Sequence, residues 1–301
     1  MTAQLRGIAL RILSGLLFTA MAATIKAIGD AVPLGQLVFF RSAVAMVPLV
    51  IFLWARQEFP QGLATRRPMG HLVRCILGGA AMFTSFATLR LLPIAEATML
   101  SYLSPVMTVA LAALLLNERS GLYRWLGVGF GLFGAAVLTF PHFTADSPQL
   151  LGIALGLTTA GLTAGALVQV RTLAKSESPG AIAFYFALAS AAFGLATAPC
   201  GWSAPEPLIW LLLILTGLFG GAAHIAMTLA FRYAEASLLA PFEYLTVLWA
   251  AAIGAVAFAE IPGLTFLLAA PLVVMGALLS TSGVSIRRAH RIQGSKGITS
   301  K

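Results

Sequence analysis

The sequence predicts an all-α membrane protein of ten transmembrane helices, arranged as two inverted five-helix repeats. Three observations carry that prediction. Of 301 residues, 59% are hydrophobic and only 10% charged, with a mean hydropathy of +0.93, more apolar surface than a water-soluble domain needs. The chain also repeats itself: Gly78-Gly79-Ala80-Ala81, Arg90, Tyr102 and Glu118 recur as Gly220-Gly221-Ala222-Ala223, Arg232, Tyr244 and Glu260, all at a shift of 142. Finally, the Lys and Arg residues crowd onto alternate loops.

Apolar runs of about 18 residues or more, the length that crosses a ~30 Å hydrocarbon core, recur ten times. They lack period-2 alternation and are rich in Ala and Leu, which argues against strands. The first, 7–29, is too long for a cleavable signal and lacks a cleavage site. It opens on Gly7-Ile8-Ala9-Leu10, which recurs at Gly152-Ile153-Ala154-Leu155, and its Lys26 matches Arg171, both at a shift of 145. The second, 34–54, holds Arg41 near its middle, and the third, 71–91, holds the first GGAA motif. The fourth, 94–116, contains Ser104-Pro105 and runs into Leu116-Asn117-Glu118-Arg119; the fifth, 123–140, carries Gly134-Ala135. The sixth, 150–170, copies the first, and the seventh covers 180–200. The eighth, 207–229, holds the second GGAA motif. The ninth, 236–258, carries Pro241-Phe242-Glu243-Tyr244 and closes on Ala259-Glu260. The tenth, 263–283, repeats Gly-Ala at Gly276-Ala277. The organisation is therefore a first repeat at 7–140, a periplasmic linker at 141–149, a second repeat at 150–283 and a basic cytoplasmic tail at 284–301.

An odd number of spans per repeat forces the second copy to enter the bilayer upside down, a pattern common among secondary transporters. With both termini cytoplasmic, 16 of the 19 Lys and Arg residues fall on the inner side, Arg11 counted among them, and only Lys26, Arg41 and Arg90 do not. So one-sided a bias fixes the orientation. It also accounts for the net charge of +9 through anionic lipid rather than nucleic acid.

Several motifs dissolve in context. Gly129-x-Gly131-x-x-Gly134 matches a dinucleotide fingerprint, but it lies inside a membrane helix with no strand before it. Gly127-xxx-Gly131, Gly152-xxx-Gly156 and Gly161-xxx-Gly165 read as faces where helices approach closely. The four His are too scattered for a metal site, no nucleophile constellation is present, and Cys75 and Cys200 sit at opposite membrane faces. No cofactor is expected.

Polar groups that cost free energy in lipid mark the candidates for binding or coupling. Glu243 leads them, as a substrate contact or a proton-coupling acid, with a structural partner for a basic residue as the alternative; its repeat counterpart is Ser101. His224 replaces Met82 of the first copy and could bond a ligand, relay a proton or bond a neighbouring helix. Tyr102, Tyr244 and Trp249 lie in equivalent helices and could stack on a flat ligand, with Thr228 a further polar contact. Arg41 is read as neutralising a carboxylate or helix C-terminus, Lys26 and Arg90 as snorkelling at the outer interface, and Glu118 and Glu260 as organising helix ends.

Taken together, Arg41, Ser104-Pro105, Leu116-Asn117-Glu118-Arg119, Pro241-Phe242-Glu243-Tyr244 and Ala259-Glu260, in this order across two repeats, resemble the drug/metabolite transporter superfamily in its EamA-type branch. The resemblance spans residues 7–283. It implies a ten-helix inverted-repeat bundle in the bacterial inner membrane, with a cavity lined mainly by spans 1, 3, 4, 6, 8 and 9 and no ATP-hydrolysing machinery; no Walker motif occurs here. The partners it implies are a small-molecule substrate, with proton coupling as one option, and the lipid bilayer. Within the branch the pattern looks most like riboflavin and S-adenosylmethionine carriers, and riboflavin uptake is the first expectation because the cavity spans offer few acids. S-adenosylmethionine uptake is the alternative, followed by export of amino acids or toxic compounds, and then by a non-transport intramembrane enzyme or structural protein.

Overall fold

The computed structural model describes residues 3–57, 59–115, 122–140, 148–234, 238–239, 242 and 244–279. Eleven helices dominate them: α1 (Ala3–Ile28), α2 (Leu34–Ala55), α3 (Pro68–Leu91), α4 (Ile94–Ser101), α5 (Leu103–Leu115), α6 (Leu122–Thr139), α7 (Pro148–Leu173), α8 (Pro179–Leu195), α9 (Pro207–Tyr233), α10 (Leu245–Phe258) and α11 (Leu264–Leu279). No strand occurs among the described residues. Seven segments are long and apolar enough to cross a membrane, and the apolar helices Trp125–Thr139, Leu245–Phe258 and Leu264–Leu279 are shorter. Each of the ten expected spans contains helix. The expected fourth is not continuous, because it breaks at Tyr102 into α4 and α5. Pro105 explains the break: it has no N–H to donate toward residue 101, and the Ser104 hydroxyl bonds the freed Ser101 carbonyl at 2.6 Å.

Packing follows the repeat. The most extensive interfaces are α1 on α9 and α3 on α7, which exchange when each helix is replaced by its counterpart in the other half. The pairs α2·α9 and α8·α3 behave likewise, as do α5·α7 and α10·α1. The relation reaches single residues. A Cβ on Gly7 would lie 2.7 Å from Ala234 Cβ, and one on Gly152 would lie 2.8 Å from Leu92 Cγ. Gly7 is the counterpart of Gly152, and Ala234 of Leu92. Both glycines let one helix cross the end of another.

The GGAA motifs work the same way. Gly221 admits the ring of Pro48, whose Cγ would stand 2.6 Å from an added Cβ, and Gly79 admits Phe193 at 2.8 Å. Gly220 borders the Arg41 guanidinium, and Gly78 is packed by Arg74 and Phe186. Arg74 lies over the Phe186 ring at 4.1 Å. Gly127 and Gly131 meet Gly276 of α11 backbone to backbone, and Gly152 and Gly156 press on Leu92 and Leu100. The pair Gly161 and Gly165 departs from the expected close approach, since a Cβ there would find only ordinary contacts at 3.9 and 3.4 Å. That helix face needs no small residue.

The buried centre is apolar, with Ile25, Leu92, Ile94, Met99, Leu100, Leu103 and Leu213 almost inaccessible. Large apolar side chains such as Ile51, Trp54, Val256 and Leu264 face outward, an arrangement suited to lipid and hazardous in water. Outside the spans, the Glu177 carboxylate is buried, accepts from the Arg66 amide at 3.0 Å and lies 3.4 Å from His71 Nε2. Burial pushes its proton affinity up. The Arg66 amide, the Thr65 hydroxyl and His71 outweigh that and hold the carboxyl below its ordinary range.

Candidate functional site

A cavity of about 410 Å³ lies between the two halves, within the range of small-molecule sites. Its walls come from α1 (Arg11, Phe18, Thr19), α3 (Ser85, Phe86, Thr88), α4 and α5 (Thr98, Ser101, Tyr102, Ser104), α7 (Gly156, Thr159, Thr163), α9 (Met227) and α10 (Thr246). These are the helices the resemblance implied.

One end is shut. The lining stops at Ala22, Leu89 and Ala97, and beyond them Ile25, Leu92 and Ile94 form a plug with almost no exposed surface. Above the plug, Lys26 Nζ pairs with Glu260 and donates to the Leu92 carbonyl, while the second Glu260 oxygen accepts from the Ile94 amide at 2.9 Å. Glu260 thus caps α4, whose own N-cap, Pro93, has no side chain able to do so. A carboxylate there also suits the positive end of the helix. Ala259 makes this possible: at φ +55 it turns the end of α10 left-handed, and the Glu260 amide closes back on Gly254 O at 3.0 Å. Three helices far apart in sequence, α1, α4 and α10, are clamped at one point.

The other end holds Arg11, only 6% exposed. One turn further along α1, Gly15 brings α10 close, since a Cβ there would stand 2.6 Å from Thr246 Oγ1. Between the ends, several hydroxyls have already committed their protons. Thr19 donates to Gly15 O, Thr88 to Thr84 O, Ser101 to Ala97 O and Ser104 to Ser101 O, at 2.6–3.0 Å. Towards the cavity they offer lone pairs.

Of the residues singled out from sequence, Ser101 and Tyr102 line the cavity, and Tyr244 packs on Tyr102 with ring centres 5.4 Å apart. Trp249 is not among the lining residues, and its buried indole Nε1 finds no partner among the described residues. His224 stands behind the wall, edge-on to Phe18 at 5.0 Å and 3.4 Å from Arg41 Nη2. Thr228 donates to the His224 carbonyl. Arg41 corrects an expectation: the group beside its guanidinium is that imidazole, with no carboxylate bonded to it among the described residues. Lys26 and Arg90 are both held by partners near one end of the bundle, Asp30 being almost fully exposed. Lys26 belongs to the clamp, and Arg90 bonds Asp30 and the Val32 carbonyl. Glu243 and Glu118 lie outside the described residues.

Arg11, counted from sequence only among the cytoplasmic basic set, is a cavity residue that sequence reasoning missed. Its depth carried a signal: at the shift of 145 its counterpart is Gly156, on another wall of the same cavity. The cation is private to one half.

Comparison with known proteins converges on one family. The model of the EamA-like transporter family matches residues 5–140 and again 150–282. The chain is 31% identical over 263 residues to the pseudopaline exporter CntI of Pseudomonas aeruginosa, covering 85% of this chain and 89% of the relative. It is 27% identical to the S-adenosylmethionine uptake transporter of Rickettsia prowazekii, covering 74% of each. A crystal structure with 23% identity superposes at a TM-score of 0.64 over 93% of this chain and 96% of the other, which shows the shared fold.

Proposed function

Since the chain belongs to the EamA-like transporter family, we propose that it carries a small organic metabolite across the bacterial inner membrane by alternating access of two inverted five-helix repeats. One observation carries the reading above others: the cavity is walled by equivalent helices from both halves and is sealed at one end by the Lys26–Glu260 clamp. Sequence-related halves that wall one site can exchange roles, opening it first to one side and then to the other. By the distribution of basic residues, both termini and the Arg11 end face the cytoplasm, so the clamp closes the periplasmic side.

For the substrate, relatives named as S-adenosylmethionine uptake transporters favour that metabolite. Riboflavin, the first expectation from sequence, has no such support. Tyr102 on the wall suits a flat base, and Glu243, whose counterpart Ser101 lines the cavity, is the acid for the sulfonium or for proton coupling. The exporter CntI supports a second reading, outward movement of a metabolite.

Counterflow of labelled S-adenosylmethionine in proteoliposomes tests the substrate without presuming direction. Exchange above empty liposomes, abolished by Glu243→Gln in a protein that still elutes as a monodisperse species, is the expected result. No exchange of S-adenosylmethionine, with exchange of riboflavin, would return the case to the vitamin.

A further inference from the structure

We propose that the protein holds a small inorganic anion, of the size and charge of chloride, between the guanidiniums of Arg41 and Arg74 beside His224. The site lies behind the cavity wall and does not depend on which metabolite the cavity carries.

Both cations reach the middle of the bundle through the GGAA motifs. A Cβ on Gly220 would stand 3.3 Å from Arg41 Nε, and the Arg74 guanidinium lies against Gly78. Gly78 and Gly220 are counterparts in the repeat, and they fall near the midpoints of α3 and α9. The arginines themselves are not counterparts. At the shift of 145 Arg41 matches Phe186, the ring beneath Arg74, and at the shift of 142 Arg74 matches Thr216. Two equivalent places in the bundle have therefore received a guanidinium from non-equivalent residues, which duplication alone does not produce.

Charge at that depth is costly unless it is paired. Arg41 is 5% exposed; its Nη2 lies 3.4 Å from His224 Nε2, and its Nε has no partner. Arg74 lies over Phe186 at 4.1 Å, and its Nε and Nη1 are buried without an acceptor. No carboxylate bonds either guanidinium among the described residues. The charges of both act on the single imidazole of His224. Arginine does not shed its proton to escape the cost, and buried donors without acceptors are rare in native folds. An anion supplies the missing charge and the missing acceptor together.

His224 marks where it sits. The ring follows Gly217 by seven residues and Gly220 by four, so it continues the buried stripe of α9. Unlike those glycines it is exposed, and a side chain exposed on an inward stripe faces space inside the bundle. Phe18 of the cavity wall closes that space edge-on at 5.0 Å. The other neighbours, Met21 and Phe186, are apolar, which disfavours a strongly hydrated divalent anion.

The test melts purified protein while chloride replaces isethionate, a bulkier sulfonate, at constant ionic strength. The melting temperature should rise with chloride along a saturating curve, and bromide should substitute. Arg41→Gln and Arg74→Gln should each move the midpoint to higher chloride by on the order of tenfold or more, as loss of one charge-assisted bond implies. Gly194→Ala, destabilised elsewhere, should keep the wild-type midpoint. Identical melting of wild type in all salts would show that the chain itself neutralises the pair and would overturn the proposal. An unchanged midpoint in both arginine variants would do the same, by placing the anion elsewhere. If neither variant folds, wild-type crystals grown in bromide decide: an anomalous peak between Arg41 and Arg74 supports the site, and its absence there refutes it.

Discussion

The clamp at Lys26 and Glu260 offers the sharpest test of how the cavity is closed. Glu260→Gln removes the charge but leaves an oxygen for the Ile94 amide, whereas Glu260→Ala removes both. The side chains of the pair are 16% and 18% exposed, so the interaction lies between open surface pairs worth roughly 0.2–1 kcal/mol and buried ones costing roughly 3–5 kcal/mol when broken. About 1–2 kcal/mol is reasonable for the glutamine. At about 1.4 kcal/mol per decade, that raises the population open at the clamp roughly 5- to 30-fold. The alanine also leaves the Ile94 amide without an acceptor, which adds about 1–3 kcal/mol and on the order of another tenfold. A cysteine at Thr98, on the cavity wall beyond the plug, reports the change in a Cys200→Ser background. An impermeant maleimide added to intact spheroplasts should label it slowly when the clamp is intact, faster in Glu260→Gln and fastest in Glu260→Ala, with Lys26→Met resembling the glutamine. Equal labelling rates in all four proteins would refute the reasoning, because they would show that the clamp holds nothing shut.

Helix packing predicts that Gly194→Ala destabilises by about 1–3 kcal/mol, because its Cβ would stand 2.6 Å from Phe39 N and 2.7 Å from Gly35 O. Gly129→Ala, with nothing within 4 Å, should be neutral or slightly stabilising, and thermal melts in detergent compare the two. The depressed carboxyl of Glu177 makes a contribution that is complete above its ordinary value of 4.5 and lost as pH falls through the lower folded value. The melting difference between wild type and Glu177→Gln should accordingly be full at neutral pH and shrink in acid; a difference that grows in acid would reverse the assignment. Reporter fusions at residue 145 and at the C-terminus should read periplasm and cytoplasm respectively, and a periplasmic C-terminus would overturn the inverted-repeat reading.

Much of the fold was legible because lipid imposes length and apolarity on each span, and because duplication marks equivalent positions. The glycines of both GGAA motifs were visible as close-approach sites, and Tyr102 and Ser101 were found as cavity residues. Partnerships across the fold were not legible. Hydropathy reports how apolar a segment is but not which way one arginine on it faces, so Arg11 was counted only among the cytoplasmic basic residues. Lys26 and Glu260 looked separately like an interfacial lysine and a helix terminus, since nothing local couples the end of α1 to the end of α10. Arg41 was expected to neutralise an acid or a helix C-terminus, yet the side chain beside it is His224, a residue that can accept its hydrogen bond while neutral. Among the described residues the break at Tyr102 is a backbone surprise, although Pro105 announced it.

The contact between Tyr102 and Tyr244 has an implication for ancestry. The two are the same position of the repeat, and a residue can meet its own duplicate only on the axis relating the copies, as at the centre of an isologous dimer. In a five-helix ancestor pairing antiparallel with itself, this would have been one tyrosine facing its twin, and every change beside it would have appeared on both sides at once. Fusion into one gene ended that coupling. Arg11 could then arise opposite Gly156, and Glu243 opposite Ser101, giving a formerly symmetric chamber a head and a tail.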